Sequence, residues 1–455
     1  MALKTKLFDG KLSKYQAIIV GAWYLNLAGV LVLWATTSAS LITSGELGSM
    51  LIAAGRLLGL LAAFFALTQF MLMGRIMWIE RHFGLDHLAS YHRFNGYVAI
   101  YSILIHIFLV VLGYSISSQT GFFSQYKEII QTFPYVWLAL IGAVLFMVVA
   151  VSSAFIVRRK LKFETWYYVH LITYAAITLA FFHQLAVGGS FIESGLARNY
   201  WYALYGFVAA NLLFWRFGWP TLNLFRFGFK VDRVESETLT TTSVYIKGNH
   251  LLRWGAKPGQ YALVRFLGKG FVFQEHPFSL SDIVKDNEMR LTVRNVGDYT
   301  SKIPNLKPGT RVLTSGPFGR FTSALAITDK RLFIAGGVGI TPIRAMLAEA
   351  VNNRTPSILL YANRNPKDVV FAKELVALAG PYLKIKPVFS DAPAGYKGET
   401  GYINGAMIKR LVPDYAGRDV YICGPQPMMD GIVTDLTPTD LPTEQLHFER
   451  FALHN

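Results

Sequence analysis

The chain holds a single cysteine, Cys423, among 455 residues. That excludes an intrachain disulfide, and no Cys-x-x-Cys-His run is present for covalent tetrapyrrole attachment. Acidic residues are also scarce, 28 Asp and Glu against 44 Lys and Arg, for a net charge of +16. A basic low-complexity tail is missing, so this excess does not point to nucleic acid. Charge of either sign nearly vanishes from long stretches of the first half. With 53% hydrophobic residues and a mean hydropathy of +0.35, the composition excludes an ordinary soluble enzyme. The apolar excess lies in residues 1–225, whereas 226–455 read as common α/β protein. A basic N-terminus before an apolar run long enough to span argues against a cleavable signal.

Six runs near twenty residues, 16–37, 51–73, 93–114, 134–156, 165–187 and 200–219, predict a six-helix transmembrane bundle. Lys4, Lys6, Lys11 and Lys14 precede the first, and Arg75, Arg81 and Arg93 lie between the second and third. Arg158, Arg159, Lys160 and Lys162 separate the fourth and fifth, and Arg216, Arg226 and Lys230 follow the sixth. The opposite loops hold only Lys127 and Arg198. This asymmetry predicts a multi-pass cell-membrane protein with its N-terminus and its second half in the cytoplasm. Trp23, Trp78, Trp137, Trp201 and Trp219 fall near span ends, as an aromatic belt would.

Four histidines sit in or directly beside two of these runs. His92 and His106 are fourteen residues apart on the third span, and His170 and His183 thirteen apart on the fifth. At 1.5 Å rise per residue, each pair is separated by roughly 20 Å along a helix. Both spans run outward, so His92 faces His170 near the inner surface and His106 faces His183 near the outer one. Two bis-imidazole clamps of this kind suit two stacked b-type haems, an electron path through an insulator. Singly, each histidine could instead be bonded to a neighbouring helix. Fourteen residues return to within about 40° of one helix face, but thirteen miss by about 140°. The fifth span must therefore bend or bulge, or its histidines must leave different faces. Arg56, a lone guanidinium in the second span, is a candidate for a haem propionate or for an anion forming at the outer acceptor site; snorkelling to the interface is the alternative.

From about residue 230 the pattern becomes period-two strands, as in Thr240 to Gly248 and Met289 to Gly297, and suggests a small antiparallel β-barrel up to about Gly319. After Lys330, strands alternate with helices. Arg331 to Ala350 reads as strand, glycine turn and helix, Ser357 to Arg364 as a strand, and Asp419 to Pro425 as a buried strand ending in a turn. That alternation predicts a parallel doubly wound sheet with ligands at the strand carboxyl ends. A glycine turn before a helix N-terminus suits a pyrophosphate, although Gly-Gly-Val-Gly alone is common. The expected domains are 1–225 (six-helix bis-haem), 226–325 (antiparallel β-barrel) and 326–455 (nucleotide-binding α/β); the motifs below give the last two their FAD and NADPH.

In order, the second half carries His-Pro-Phe-Ser-Leu-Ser (His276 to Ser281), Gly-Asp-Tyr-Thr (Gly297 to Thr300), Gly-Pro-Phe-Gly (Gly316 to Gly319), Gly-Gly-Val-Gly-Ile-Thr-Pro (Gly336 to Pro342), Cys-Gly-Pro (Cys423 to Pro425) and His-Phe-Glu-Arg-Phe (His447 to Phe451). This set resembles the ferredoxin–NADP reductase module over residues 228–455. With the paired histidines, the whole chain resembles the NADPH oxidase and ferric reductase superfamily of transmembrane flavocytochromes. It has no recognisable calcium-binding domain and is similar to the minimal bacterial members.

The resemblance implies that Pro277 and Phe278 pack by the flavin ring, that Ser279 bonds near its reactive edge, and that Ser281 lies in the same cofactor-binding stretch. It implies that His276, Arg294 and Thr300, with Gly297, hold the FAD pyrophosphate, and that Gly336, Gly337, Gly339, Thr341 and Pro342 cradle the nucleotide phosphates. Cys423, Gly424 and Pro425 would sit by the nicotinamide, and Phe451 would shield the flavin with Glu449 nearby. Cys423 is otherwise a small buried hydrophobe. Arg364, with no acid until Asp368, favours NADPH over NADH; otherwise it is a solvated loop residue. Two positions depart from the better-known oxidases. Val110 stands where they carry a second outer histidine, and Ala176 where an aromatic lies between the haems, leaving Tyr101 or Tyr174 to fill the gap.

The expected activity is electron transfer from cytoplasmic NADPH through FAD and two haems to an outer acceptor. Dioxygen, giving superoxide, is preferred on the strength of Arg56. A ferric chelate, quinone or partner protein is the alternative, and no obligate protein partner is evident. A channel that only senses nucleotide would leave the hydride-transfer motifs unexplained.

Overall fold

The computed structural model describes residues 13–154, 157, 160–161, 163–272 and 274–449. Lys4, Lys6, Lys11, Arg158, Arg159, Lys162 and Phe451 lie outside these. The chain forms two compact units. One runs to His82 and continues over His87–Phe214; the other comprises Phe83–Asp86 and the chain from Trp215.

The first unit is helical: α1 (Lys14–Thr37), α2 (Leu47–Met73), α3 (Leu85–Ser117), α4 (Phe122–Thr132), α5 (Val136–Ser153), α6 (Phe163–Val187) and α7 (Gly195–Leu213). Ser13 starts α1 with a capping box, its hydroxyl accepting from the Gln16 N–H while the Gln16 side chain accepts from the Ser13 N–H. Among the described residues five helices, α1, α2, α3, α5 and α6, are long and apolar enough to cross a membrane. They are apolar all round rather than along one stripe, and Leu25, Val32, Phe108 and Val151 point outward. Over the sixth expected span the chain forms α7, which Arg198, Asn199 and Asn211 make less apolar, and which is not among these five. It ends at Leu213 in a π-helical stretch, Phe214–Gly218. Trp201, expected in an aromatic belt, does not face outward. It is fully buried and stacks on Phe191 at 5.9 Å.

Small residues set the helix crossings, since lipid offers no hydrophobic drive between spans. A Cβ on Gly142 of α5 would lie 2.8 Å from the Ala176 carbonyl oxygen of α6, so the two backbones touch there. The helix α4 differs from its neighbours. Gln125 and Ile129 are buried and Tyr126, Ile130 and Phe133 half-buried, while Phe123, Ser124, Lys127, Glu128 and Gln131 are exposed, giving an amphipathic helix of interfacial type.

The second unit opens with α8 (Trp219–Phe227). Six strands follow: β1 (Lys230–Thr238), β2 (Thr241–Lys247), β3 (Tyr261–Phe266), β4 (His276–Ser279), β5 (Glu288–Arg294) and β6 (Val312–Phe318). They form two antiparallel sheets, β1-β2-β5 and β4-β3-β6, joined by single bridges from Lys230 to Arg311 and from Leu280 to Leu291. Phe229, Val244, Ile246, Phe266 and Leu291 fill the space between them. Asn223 of α8 donates to the Thr314 carbonyl (3.1 Å) and Trp219 to that of Gly316 (3.4 Å). These bonds draw α8 into this unit, so the division falls at Phe214–Trp215 rather than at the expected 225.

The remaining strands are β7 (Arg331–Gly336), β8 (Ser357–Asn363), β9 (Leu383–Phe389), β10 (Glu399–Thr400), β11 (Asp419–Cys423) and β12 (Leu446–Phe448). They make one parallel sheet ordered β10-β9-β8-β7-β11-β12. The helices α9 (Ile340–Asn352), α10 (Ala372–Leu378), α11 (Gly405–Leu411) and α12 (Gln426–Leu436) complete it, with a buried core on each face. Strand order reverses between β7 and β11, and such switch points are where doubly wound sheets bind ligands.

Candidate functional site

In the helical unit the four histidines meet two by two. The rings of His92 on α3 and His170 on α6 have centroids 5.9 Å apart at 57°. Two metal–nitrogen bonds of about 2 Å each, plus two ring half-widths, need roughly this separation. Trp166 packs against His170 at 5.0 Å and donates to Ser153 (3.2 Å), whose hydroxyl lies 3.4 Å from the His170 Nδ1. His106 and His183 line one cavity of about 240 Å³. The His106 Nδ1 is 2.8 Å from the Gly55 carbonyl, which orients the ring and leaves Nε2 for a ligand. A Cβ on Gly59 would lie 2.9 Å from the same ring, so only glycine admits it. Ala62, Ala63 and Ala66 widen the cavity wall.

Among the described residues no three His, Cys, Asp or Glu cluster as a bare metal ion would require. Paired imidazoles beside an apolar cavity fit a metal that brings its own equatorial nitrogens, as haem does. The spacing conflict on the fifth span is resolved by the second alternative. The helix α6 runs unbroken from Phe163 to Val187, so His170 and His183 leave different faces.

Arg56 lines the same cavity but is not alone. Its Nη1 is 3.0 Å from the Glu193 carboxylate, with side chains 28% and 45% exposed. Nothing local in the sequence announces Glu193, which is 137 residues away. The helix α4 contributes Tyr126, Ile129 and Phe133 to the cavity and is anchored by Gln125, which accepts from Ser118 (2.5 Å) and Thr120 (2.7 Å). Val110 lines this cavity too. Ala176 is buried and the α5–α6 crossing lies at its carbonyl. Of the two candidate aromatics for that gap, Tyr101 is 61% exposed and Tyr174 packs against Phe70 at 5.0 Å, tilted by 35°.

In the second unit, β4 presents Phe278 and Ser279 as buried residues with Pro277 exposed beside them. The His276 ring lies 3.9 Å from that of Tyr299. Thr300 accepts from the N–H groups of Val296 (2.9 Å) and Gly297 (3.1 Å), and so shapes the Gly-Asp-Tyr-Thr turn. Arg294 is exposed, and its Nη1 would be 3.7 Å from a Cβ on Gly337, which brings it to the glycine turn. Ser281, two residues beyond β4, is fully buried, with its hydroxyl 2.7 Å from Thr292 and accepting from Arg290.

At the switch point two strand ends close on one another. A Cβ on Gly339 would lie 2.3 Å from the Cys423 carbonyl, and one on Gly424 would be 3.1 Å from the Gly336 Cα. A Cβ on Gly336 would strike Met428 and Pro425, and Gly337 has a φ of +52°. Thr341 caps the turn by donating to the Val338 carbonyl (2.9 Å), with Pro342 buried behind it in the first turn of α9. A glycine turn at the positive end of a helix dipole suits an anion. Burial pushes the Cys423 thiol well above its usual range, and nearby Glu449 adds to this, so it is a neutral thiol. A Cβ on Gly319 would be 3.1 Å from Glu449, which draws two further motifs to the same place.

Arg364 is 77% exposed and lies 3.7 Å from Asp391, after β9. An acid therefore does stand beside it, supplied by the neighbouring strand end. Sequence reasoning also missed Asp282, Arg290, Arg344 and Glu374, which pair with one another across distant segments.

Comparison with known proteins finds three family matches along the chain. Residues 58–181 match the family described as ferric reductase like transmembrane component, 227–322 an FAD-binding domain, and 333–434 an oxidoreductase NAD-binding domain. In this order they are the domain architecture of the NADPH oxidase and ferric reductase superfamily. Over 209 residues the chain is 32% identical to the glycine betaine monooxygenase reductase subunit of Pseudomonas aeruginosa, covering 43% of this chain and 56% of that protein. It is 29% identical over 235 residues to a flavohemoprotein of Candida albicans, covering 48% and 58%. The chain thus spans little more than half the length of these relatives. A solved FAD/NAD-binding domain of the Vibrio cholerae nitric oxide dioxygenase superposes with a TM-score of 0.42 at 22% identity, over 49% of this chain and 96% of that domain.

Proposed function

We propose that the protein is a transmembrane NADPH oxidase, moving electrons from cytoplasmic NADPH to dioxygen on the outer side. FAD would convert the two-electron donor into single electrons, and two b-type haems would carry those across the membrane. The observation that carries this reading is the pairing of His92 with His170 and of His106 with His183. His276, Phe278, Ser279, Arg294 and Thr300 would hold FAD. The glycine turn at Gly336, Gly337 and Gly339 with Thr341 would hold the nucleotide phosphates against the N-terminus of α9. Cys423 packs the nicotinamide end as a neutral thiol and moves no proton. The N-terminus and the reductase unit would be cytoplasmic.

Dioxygen is favoured because the cavity at His106 and His183 has apolar walls and α4 contributes apolar side chains to it, which suits a small neutral acceptor. A second reading, ferric-chelate reduction, draws on Glu193. Its carboxylate offsets the cation that Arg56 would otherwise offer a forming anion. A reduced-minus-oxidised spectrum with haem and FAD quantified tests the cofactors, with two low-spin haems and one FAD per chain expected. A protein without a Soret band after expression with ample haem would rule the reading out. Cytochrome c reduction that superoxide dismutase abolishes would support dioxygen; a far faster ferric-chelate rate would reverse the ranking.

A further inference from the structure

We infer that Arg290, Arg344 and Glu374 are positioning residues for hydride transfer, a charged bracket that holds the flavin strand β4 in register with the nicotinamide turn. The inference rests on the assignment of these two segments under the proposed function.

The Arg290 side chain on β5 is 3% exposed and grips the Glu374 carboxylate of α10 with two nitrogens, at 2.5 and 3.1 Å. It also donates to the carbonyl (2.9 Å) and hydroxyl (3.2 Å) of Ser281, two residues beyond Ser279. Its guanidinium lies 4.5 Å from the ring centre of Phe371, at the start of α10. Arg344 of α9, three residues after Thr341, pairs with Glu374 (2.6 Å) and with Asp282. One carboxylate is thus shared by two guanidiniums, and both also hold the Ser281–Asp282 segment. On the far side the Val370 N–H donates to the Tyr361 hydroxyl, which donates to the Gly337 carbonyl, each at 3.2 Å. Contacts therefore run unbroken from the end of β4 through Glu374 and α10 to the glycine turn.

Energetics argue that this arrangement serves geometry. The Glu374 carboxylate is 32% exposed, and partly exposed ion pairs add little net stability. A fork-shaped guanidinium on a carboxylate does fix orientation, which an apolar interface that can slide does not. Hydride transfer is sensitive to such alignment. In that step the C4–H bond of the dihydronicotinamide breaks and an N–H bond forms on oxidised flavin. The nicotinamide is oxidised and the flavin reduced by the same electron pair. The bracket exchanges no proton.

The test uses the full chain in detergent, loaded with FAD, under anaerobic conditions. For Glu374→Gln we expect unchanged flavin content, a flavin-bleaching rate with NADPH lowered by about tenfold, and a larger isotope effect with 4-deuterated NADPH. A KM held within about twofold while the rate falls marks an alignment lost in the transition state rather than in binding. Without NADPH, amides near Val370 and Ser281 should exchange hydrogen faster, and Glu374→Asp should restore part of the rate. Should Glu374→Gln fail to fold, Arg344→Lys, which keeps the charge and removes the fork, gives the same readouts. An unchanged bleaching rate and isotope effect would overturn the inference, as would a loss fully accounted for by missing flavin. A wild-type chain that binds no FAD would overturn the assignment of β4 itself, an outcome told apart from the first by the flavin content.

Discussion

The two units position their chemistry in opposite ways. The helical unit carries all four candidate ligands on two long helices, α3 and α6, whose histidines are thirteen or fourteen residues apart. The second unit collects its candidate site from strand ends and loops that lie far apart in the chain, with Gly339 at the Cys423 carbonyl and Gly319 at Glu449. In a helix, separation in sequence converts to distance at a fixed rise. In a sheet, neighbours are chosen by strand order. The first kind of site should fail ligand by ligand, and the second should fail wherever two backbones must touch.

The largest effect expected from that contrast is at the histidines. His106→Ala or His183→Ala should remove one haem of two and lower outer acceptor reduction at least about a hundredfold, since the path of single electrons is cut. Reduction of flavin by NADPH should persist. Quantified haem spectra beside anaerobic flavin bleaching check this, and two intact haems would break the comparison.

Gly339→Ala attacks the other kind of site. The added methyl group would meet the Cys423 carbonyl at 2.3 Å, and overpacking of this sort costs on the order of 1–3 kcal/mol. Denaturant unfolding of the reductase unit and the KM for NADPH should both worsen, with the haem spectrum unchanged.

Acid should separate the units next. Asp419 is fully buried, which alone would raise its pKa, but bonds from His447 (2.8 Å) and Thr328 (2.7 Å) outweigh that and hold it below the carboxylate range. Burial keeps His447 below its own usual value. A depressed carboxylate stabilises fully above the unfolded value of about 4 and loses that stabilisation as pH falls through its folded value. Asp419→Asn should flatten the acid limb of reductase unfolding, as followed by flavin fluorescence, and lower stability near neutrality by about 2 kcal/mol.

The smallest effect belongs to Arg364. Its pairing with Asp391 is exposed on both sides, and such pairs contribute about 0–1 kcal/mol. Arg364→Ala should therefore change the ratio of NADPH to NADH specificity by less than about tenfold. A larger change would show that the 2′-phosphate is read there.

Most of the architecture was legible because it rests on local pattern. Apolar runs marked α1, α2, α3, α5 and α6, and the strand–glycine–helix alternation marked β7 and α9. The π-helical end of α7 and the transfer of α8 to the second unit were not legible, since Asn223 finds Thr314 only through folding. At the sites, the histidine pairs could be read from spacing and topology. Glu193 beside Arg56, Asp391 beside Arg364 and Glu374 between two arginines could not, because each partner comes from a distant segment.

By itself, then, the sequence determined which residues are candidates for the chemistry and the period of the elements that bear them, because hydrophobic pattern and spacing act over a few turns or one strand. Only the tertiary structure decided which charges are neutralised, which hydroxyls turn into the core and which backbones touch. Those outcomes depend on strand order and helix crossing, where close approach is governed by side-chain volume and burial.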